Sequence, residues 1–225
     1  MGDRSGDGDR PDSDEIAVSA HLLGGLEDLS QSPSPQQLRH LTQLILLLAD
    51  WGARINLTGH RDPITMATRL VLDAAALAGS LPELRVAKTL VDLGSGAGFP
   101  GLPIAILHPH VIVRLVDSRM KRIHFQRAAR RTLDLQNVEP ILGRSDELEI
   151  EPADIVVAQA MAKPVRALEL MLPWATAGGL LVLPATQESA QPHIPAGARL
   201  LEARSYPLPN LDIQRKLWIA RASSA

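Results

Sequence analysis

The stretch Leu90-Val-Asp-Leu-Gly-Ser-Gly-Ala-Gly-Phe-Pro-Gly101 constrains this chain more than any other. A short apolar run leads straight into three glycines spaced one residue apart, and a proline then opens a second apolar run. This reads as a buried strand, a tight turn and a helix, an arrangement that brings bare backbone close to a ligand at the carboxyl edge of a parallel sheet. A buried parallel strand needs neighbours on both sides, and the rest of the chain supplies them. Apolar runs at 89–93, 111–116, 138–142, 155–158 and 180–183 alternate with helical stretches at 100–107, 119–133 and 163–175. That alternation predicts a doubly wound, mostly parallel α/β sheet of Rossmann-like type with right-handed crossovers. Two further extended segments around Tyr206-Pro-Leu-Pro209 are expected to form an antiparallel hairpin at one edge.

Upstream, Ser32-Pro-Ser-Pro35 punctuates the start of an amphipathic helix over 36–51, with Leu38, Leu41, Ile45 and Leu48 on one face. Asp62-Pro63 reads as an N-cap with proline at the first helical position, opening a helix that runs to about Leu81, where Pro82 closes it. The first fifteen residues hold six acids, two arginines and three glycines with almost nothing apolar, the composition of a disordered acidic tail. Setting that tail aside, twenty-five acids and twenty-three Lys and Arg become nineteen and twenty-one, so the folded body is mildly basic. The expected organisation is therefore a tail over 1–15, a helical extension over 16–86 and a sheet domain over 87–225. Cysteine is absent, which excludes disulfides and thiolate chemistry, and no apolar run is long enough to span a membrane. A monomer working in the cytoplasm is expected.

Gly94-x-Gly96-x-Gly98, with Asp92 just before it, is the spacing of an S-adenosylmethionine turn; a dinucleotide fingerprint wants glycine where Phe99 stands. Asp117 ends the second strand, 19 residues beyond Gly98, where a carboxylate accepts hydrogen bonds from ribose hydroxyls; a helix N-cap role is the alternative. The loop Gly143-Arg-Ser-Asp-Glu147 follows the third strand, either beside an adenine or as an ordinary polar loop. Between 119 and 131 stand six cations (Arg119, Lys121, Arg122, Arg127, Arg130 and Arg131) and no acid, a solvated face or a phosphate contact. With two Phe, one Tyr and three Trp in the chain, any RNA recognition leans on charge and shape rather than on stacking. The seven histidines show no metal-ligand spacing.

From about Gln36 to its end the chain resembles the bacterial small-subunit (16S) ribosomal RNA guanine-N7 methyltransferases, also called glucose-inhibited division protein B. Four blocks carry the likeness: Asn56-Leu57-Thr58 with Arg61-Asp62-Pro63, Gly94 to Gly101, Asp117-Ser118 with Lys121, and Gly143-Arg-Ser-Asp-Glu-Leu148. The resemblance implies a class I methyltransferase sheet behind extra N-terminal helices, S-adenosylmethionine as methyl donor, and a guanine of small-subunit ribosomal RNA or a ribosomal particle as acceptor. Asp92, Gly94, Gly96, Gly98, Phe99, Asp117, Ser145, Asp146 and Gln159 would then serve the cofactor, and Arg61, Arg69, Arg119, Lys121, Arg122, Lys163 and Arg166 the RNA. Three positions depart from the family pattern: Gln159 replaces an arginine, Leu70 a histidine and Pro184 a lysine. They leave open an alternative, a catalytically impaired paralogue acting as an RNA- or ribosome-binding module, with or without cofactor binding.

Overall fold

The computed structural model describes residues 13–223. Seven strands make one sheet in the order β3-β2-β1-β4-β5-β7-β6. Strands β1 (Thr89–Leu93), β2 (Ile112–Asp117), β3 (Val138–Leu142), β4 (Ala153–Ala158) and β5 (Ala175–Thr186) run parallel. The hairpin of β6 (Ala198–Leu208) and β7 (Ile213–Ala222) joins antiparallel, with β7 against β5 and β6 outermost. The sheet order reverses between β1 and β4, so the crevice beyond their carboxyl ends is the natural place for a ligand.

Alternate residues of the central strands feed two separate cores, as the two-residue side-chain period requires. Leu90, Ile155, Val157, Leu180, Val182, Leu217 and Ile219 face one way. Val91, Leu93, Val156, Ala158, Leu181, Leu183, Trp218 and Ala220 face the other. The first core is closed by α1 (Ser13–Asp28), α2 (Pro35–Arg54), α4 (Asp73–Gly79), α5 (Gly101–Leu107) and α6 (Met120–Thr132). The second is closed by α7 (Pro164–Met171) and the buried Trp174. Burial on both faces is why these strands read as continuous apolar runs.

Three expectations need correction. Ser13, Asp14 and Glu15, assigned above to the acidic tail, form the first turn of α1. Two carboxylates there meet the positive end of the helix dipole, so their charge helps rather than opposes order; residues 1–12 lie outside the described residues. The helix expected over 63–81 starts as anticipated in α3 (Pro63–Met66), where the Asp62 carboxylate accepts from the Thr65 amide at 2.7 Å. It then widens into a π-helical stretch, Ala67–Leu72, before α4 ends at Gly79. Pro82 opens a short 3-10 turn (Pro82–Arg85) instead of closing the helix. Strand β5 runs well past the expected 180–183 because β7 pairs with it from Leu180 to Thr186. At α2 the capping is reciprocal: the Gln37 amide donates to Ser34 Oγ at 3.2 Å and the Ser34 amide to Gln37 Oε1 at 2.8 Å.

Candidate active site

A cavity of about 670 Å³ opens at the carboxyl edge of the sheet, over the reversal point. The glycine loop, the ends of β2 and β3, the turn after β4, and Arg69 and Leu70 of the π-helical stretch line it. Its size falls within the range of small-molecule sites.

The floor is the glycine loop, held by the core beneath it. Gly94 and Ser95 both donate their amides to the Val116 carbonyl, at 2.8 and 3.1 Å. The fully buried Gln126 of α6 donates its amide to Ser95 Oγ at 2.9 Å and to the Gly96 carbonyl at 2.8 Å. At Gly94 φ is +69° and a Cβ would lie 2.6 Å from Met161 Cβ, so the approach of the β4 turn requires glycine. At Gly96 φ is +59°, and an added Cβ would meet nothing closer than 4.0 Å, the Gly94 carbonyl; it would enter open space beside the cavity. The amides of Gly94, Ser95 and Gly96 are committed inside the protein, so at these three residues the loop offers a ligand close backbone rather than free donors.

Asp117, at the end of β2, is 3% exposed and borders the cavity. One carboxylate oxygen accepts from the Arg119 amide at 2.9 Å. The other accepts from the Gly96 amide at 3.0 Å and from Arg122 at 2.9 Å. The bond to Arg119 is a local Asx turn, but Arg119 is the N-cap of α6 and has no side-chain capping bond, so the helix N-cap reading of Asp117 does not hold. A carboxylate oxygen takes two donors, which leaves room on the oxygen that holds only the Arg119 amide.

Two expected cofactor residues stand behind the wall. Asp92 is fully buried, with one oxygen accepting from the Gly101 amide at 2.9 Å and the other without a partner. It fixes the start of α5 rather than facing the cavity. Gly98 packs toward Leu102 and Gln126. Phe99, Gly94, Gly96, Ser145, Asp146 and Gln159 do line the cavity. The loop carrying Ser145 is pinned from below, where buried Trp174 donates its indole N–H to the Ser145 carbonyl at 3.0 Å. Hydrogen bonding from Arg144 holds the exposed Asp146 carboxyl below its usual range.

Burial, opposed by the Gly101 amide but reinforced by the Asp117 charge, pushes the Asp92 carboxyl from its ordinary 3.8 to about 8. Its folded value lies above its unfolded one, so the stability tied to the neutral form is full below about pH 4 and is lost as pH rises through about 8. Asp92→Asn is a neutral isostere that cannot titrate. Urea denaturation at stepped pH is expected to show the wild-type midpoint falling across this window more steeply than the variant's. Parallel slopes would assign the dependence to another group.

The rim is cationic. Arg69, Arg119, Arg122, Arg144 and Arg166 border the cavity against two carboxylates, Asp117 and Asp146. Arg122 pairs with Asp117; Arg144 pairs with Asp146 and Glu147; Arg166 lies 3.8 Å from Asp146 and 3.2 Å from Glu169. Among the described residues, Arg69 and Arg119 make no ion pair. Lys121 and Lys163 are exposed and lie outside the cavity wall, and Arg61 donates to the Gly52 carbonyl, bracing its loop. Of the three departures, Leu70 and Gln159 border the cavity and Pro184 does not.

A polar cluster behind Gln159 escaped the sequence reading. Asp73, 3% exposed, accepts from Tyr206 Oη at 2.9 Å, Arg215 at 3.3 Å and the Gln159 amide at 3.4 Å. Burial beside Asp73 raises the Tyr206 phenol, which stays protonated and donates. The signal was present: Asp73 is the lone charge in the alanine-rich run 71–78, and Tyr206 is the only tyrosine.

Residues 37–194 match the family model for GidB, rRNA small subunit methyltransferase G. The Ribosomal RNA small subunit methyltransferase G of Chromohalobacter salexigens is 34% identical over 203 residues, covering 89% of this chain and 96% of its own length. The protein of that name from Xanthomonas campestris pv. campestris strain 8004 is 35% identical over 209 residues, covering 89% and 93%. Among solved structures, TrmN from Thermus thermophilus superposes with a TM-score of 0.52 at 17% identity, over 66% of this chain and 48% of that one. The domain StiE O-MT gives 0.54 at 13% identity, over 79% and 81%. These two likenesses are of fold.

Proposed function

The chain belongs to the rRNA small subunit methyltransferase G family, and from that premise we propose that it is an rRNA methyltransferase moving a methyl group from S-adenosylmethionine to N7 of a guanine in small-subunit (16S) ribosomal RNA. The observation that carries this reading is the cavity at the sheet's reversal point, floored by close glycine backbone and walled by one buried carboxylate. The residues present fit the donor: Gly96 leaves open space where any other residue would put a Cβ, and Asp117 keeps an acceptor position unfilled.

When bound, S-adenosylmethionine supplies an electrophilic methyl group on a sulfonium centre. Asp117 would hold a ribose hydroxyl, Ser145 and Asp146 the adenine edge, and Gly94, Gly96 and Phe99 the surface against which the nucleoside lies. Guanine N7 presents an exposed lone pair, so no side chain has to remove a proton before transfer. The chain's work is alignment of the acceptor and tolerance of the positive charge that develops on the ring. Arg69 and Arg119, which make no ion pair among the described residues, Arg166 on the cavity wall, and the exposed Lys163 next in the chain to the lining residue Ala162 would hold phosphates around the acceptor base. Arg61, Lys121 and Arg122 complete the proposed RNA contacts.

In this reading residues 16–86 are a helical extension, 87–225 the methyltransferase domain, and the protein acts as a cytoplasmic monomer. The paralogue without turnover is not favoured by the family assignment. No helix among the described residues is long and apolar enough to cross a membrane. Incubating the purified chain with methyl-labelled donor and small-subunit particles, or their RNA, from cells lacking the protein is expected to yield 7-methylguanine. No transfer to either substrate overturns the proposal.

A further inference from the structure

A second groove, of about 530 Å³, lies at the far end of α6, lined by Arg127, Arg130, Arg131, Asp134, Gln136 and Pro140. Helix α6 leaves the carboxyl edge of the sheet after Asp117 and returns the chain to the amino edge, where β3 begins at Val138. From Arg119 to Arg131 the helix covers roughly 18 Å at 1.5 Å per residue, so the groove opens well away from the cavity mouth. Its three guanidinium groups are exposed and, among the described residues, none forms an ion pair or a side-chain hydrogen bond. The groove's one carboxylate, Asp134, accepts from Gln136 instead, at 2.5 Å.

We propose that this groove is a second docking surface for RNA phosphates, separate from the methyl-transfer cavity, so that α6 grips one RNA at both of its ends. The proposal rests on the methyltransferase reading for the identity of the RNA. Like charges four residues apart repel on a helix, so Arg127 and Arg131 are unfavourable for α6 by itself. The helix dipole favours cations in the last turn, which accounts for Arg130 and Arg131 singly but not for the recess they share with Arg127. Guanidinium is the group suited to bidentate phosphate contact. Toward the rim, Lys121 is exposed on the same helix, and the turn before α6 carries Arg119. A phosphate backbone laid along α6 therefore meets cations from the cavity rim to the groove, while the base to be modified enters only the cavity. A few hydrogen bonds at the rim are a small footprint for selecting one base; a remote electrostatic clamp adds affinity and register without touching the chemistry.

The test is the triple variant Arg127→Gln/Arg130→Gln/Arg131→Gln in the full chain, beside an Arg→Lys triple that keeps charge. Both should bind S-adenosylmethionine as the wild type does by titration calorimetry, and melt within a few degrees of it. For the Gln triple, KM for small-subunit RNA is expected to rise about tenfold with kcat nearly unchanged, and the slope of log binding constant against log salt to fall by about 2, near 0.7 for each phosphate lost. The Lys triple should restore the salt slope and most of the KM. An unchanged KM and salt slope in a folded Gln triple overturns the groove assignment. Should the Gln triple fail to fold, the single variants Arg127→Gln and Arg130→Gln, each expected to lower the slope by about 0.7, decide the matter in the same way. If the wild type methylates no small-subunit RNA, the functional reading falls, and the salt slope of RNA binding alone judges the groove.

Discussion

Replacing Asp117 with alanine is expected to weaken S-adenosylmethionine binding by about one to two orders of magnitude while the chain stays folded. Hydrogen bonds to a charged group contribute about 1.5–3 kcal/mol each. The one acceptor position left on Asp117 is therefore worth about 1.5–3 kcal/mol to a ribose hydroxyl, or roughly 10- to 10²-fold in Kd. No other carboxylate takes over: Asp146, the second one on the wall, is exposed and already shared between Arg144 and Arg166. The folded state loses less than the ligand does, because the Arg122 side chain is 31% exposed and rehydrates when its partner goes. The Gly96 and Arg119 amides also lose their acceptor, so the loop slackens where the nucleoside would lie. Asp117→Asn, which keeps an acceptor but not the charge, should fall between the two. Calorimetric titration with S-adenosylmethionine and S-adenosylhomocysteine measures this directly, and undiminished binding to the alanine variant removes Asp117 from the site.

The largest stability loss is expected at Asp73. Its carboxylate is the shared acceptor for Tyr206 and Arg215, and it ties α4 to both strands of the terminal hairpin. Removing one partner of a buried ion pair costs about 3–5 kcal/mol, because the other charge stays desolvated. Arg215 is 26% exposed and its Nε already has no partner, so the lower end, about 3 kcal/mol, applies to Asp73→Ala. Tyr206→Phe leaves Asp73 with Arg215 and Gln159 and should cost about 1 kcal/mol. Urea denaturation midpoints separate these values. Equal losses in the two variants would mean that the phenol, not the ion pair, holds the hairpin. Because Gln159 reaches the same carboxylate and borders the cavity, Asp73→Ala should also weaken cofactor binding, by less than Asp117→Ala does.

Much of the site was legible because its parts are local. The glycine spacing, Asp117 at a strand end and the loop after the third strand sit at fixed offsets from apolar runs, and the fold brings Gly94, Gly96, Phe99, Asp117, Ser145 and Asp146 to one cavity. The same local logic misplaced Asp92 and Gly98. Along a strand and its turn, which residue faces the ligand and which faces the core depends on how α5 packs behind, and no spacing records that. The run from Arg119 to Arg131 read as one charged stripe; three dimensions divide it between the cavity rim and the far groove. The acidic first turn of α1 was taken for tail because composition cannot separate charges that repel order from charges that suit a helix end.

By itself the sequence determined the order of strands and helices, the two-sided burial of the central strands and the glycine loop, since each depends on neighbours within a dozen residues and on the fixed periods of helix and strand. Only the tertiary structure decided that Asp73, Tyr206 and Arg215, spread over more than 140 residues, share one hydrogen-bond network behind Gln159, with Asp73 accepting from the other two. The same is true of Gln126, which clamps the glycine loop from the next helix. The reason is physical: a buried polar group must find its partner wherever the packed chain places one, and separation along the sequence does not enter that requirement.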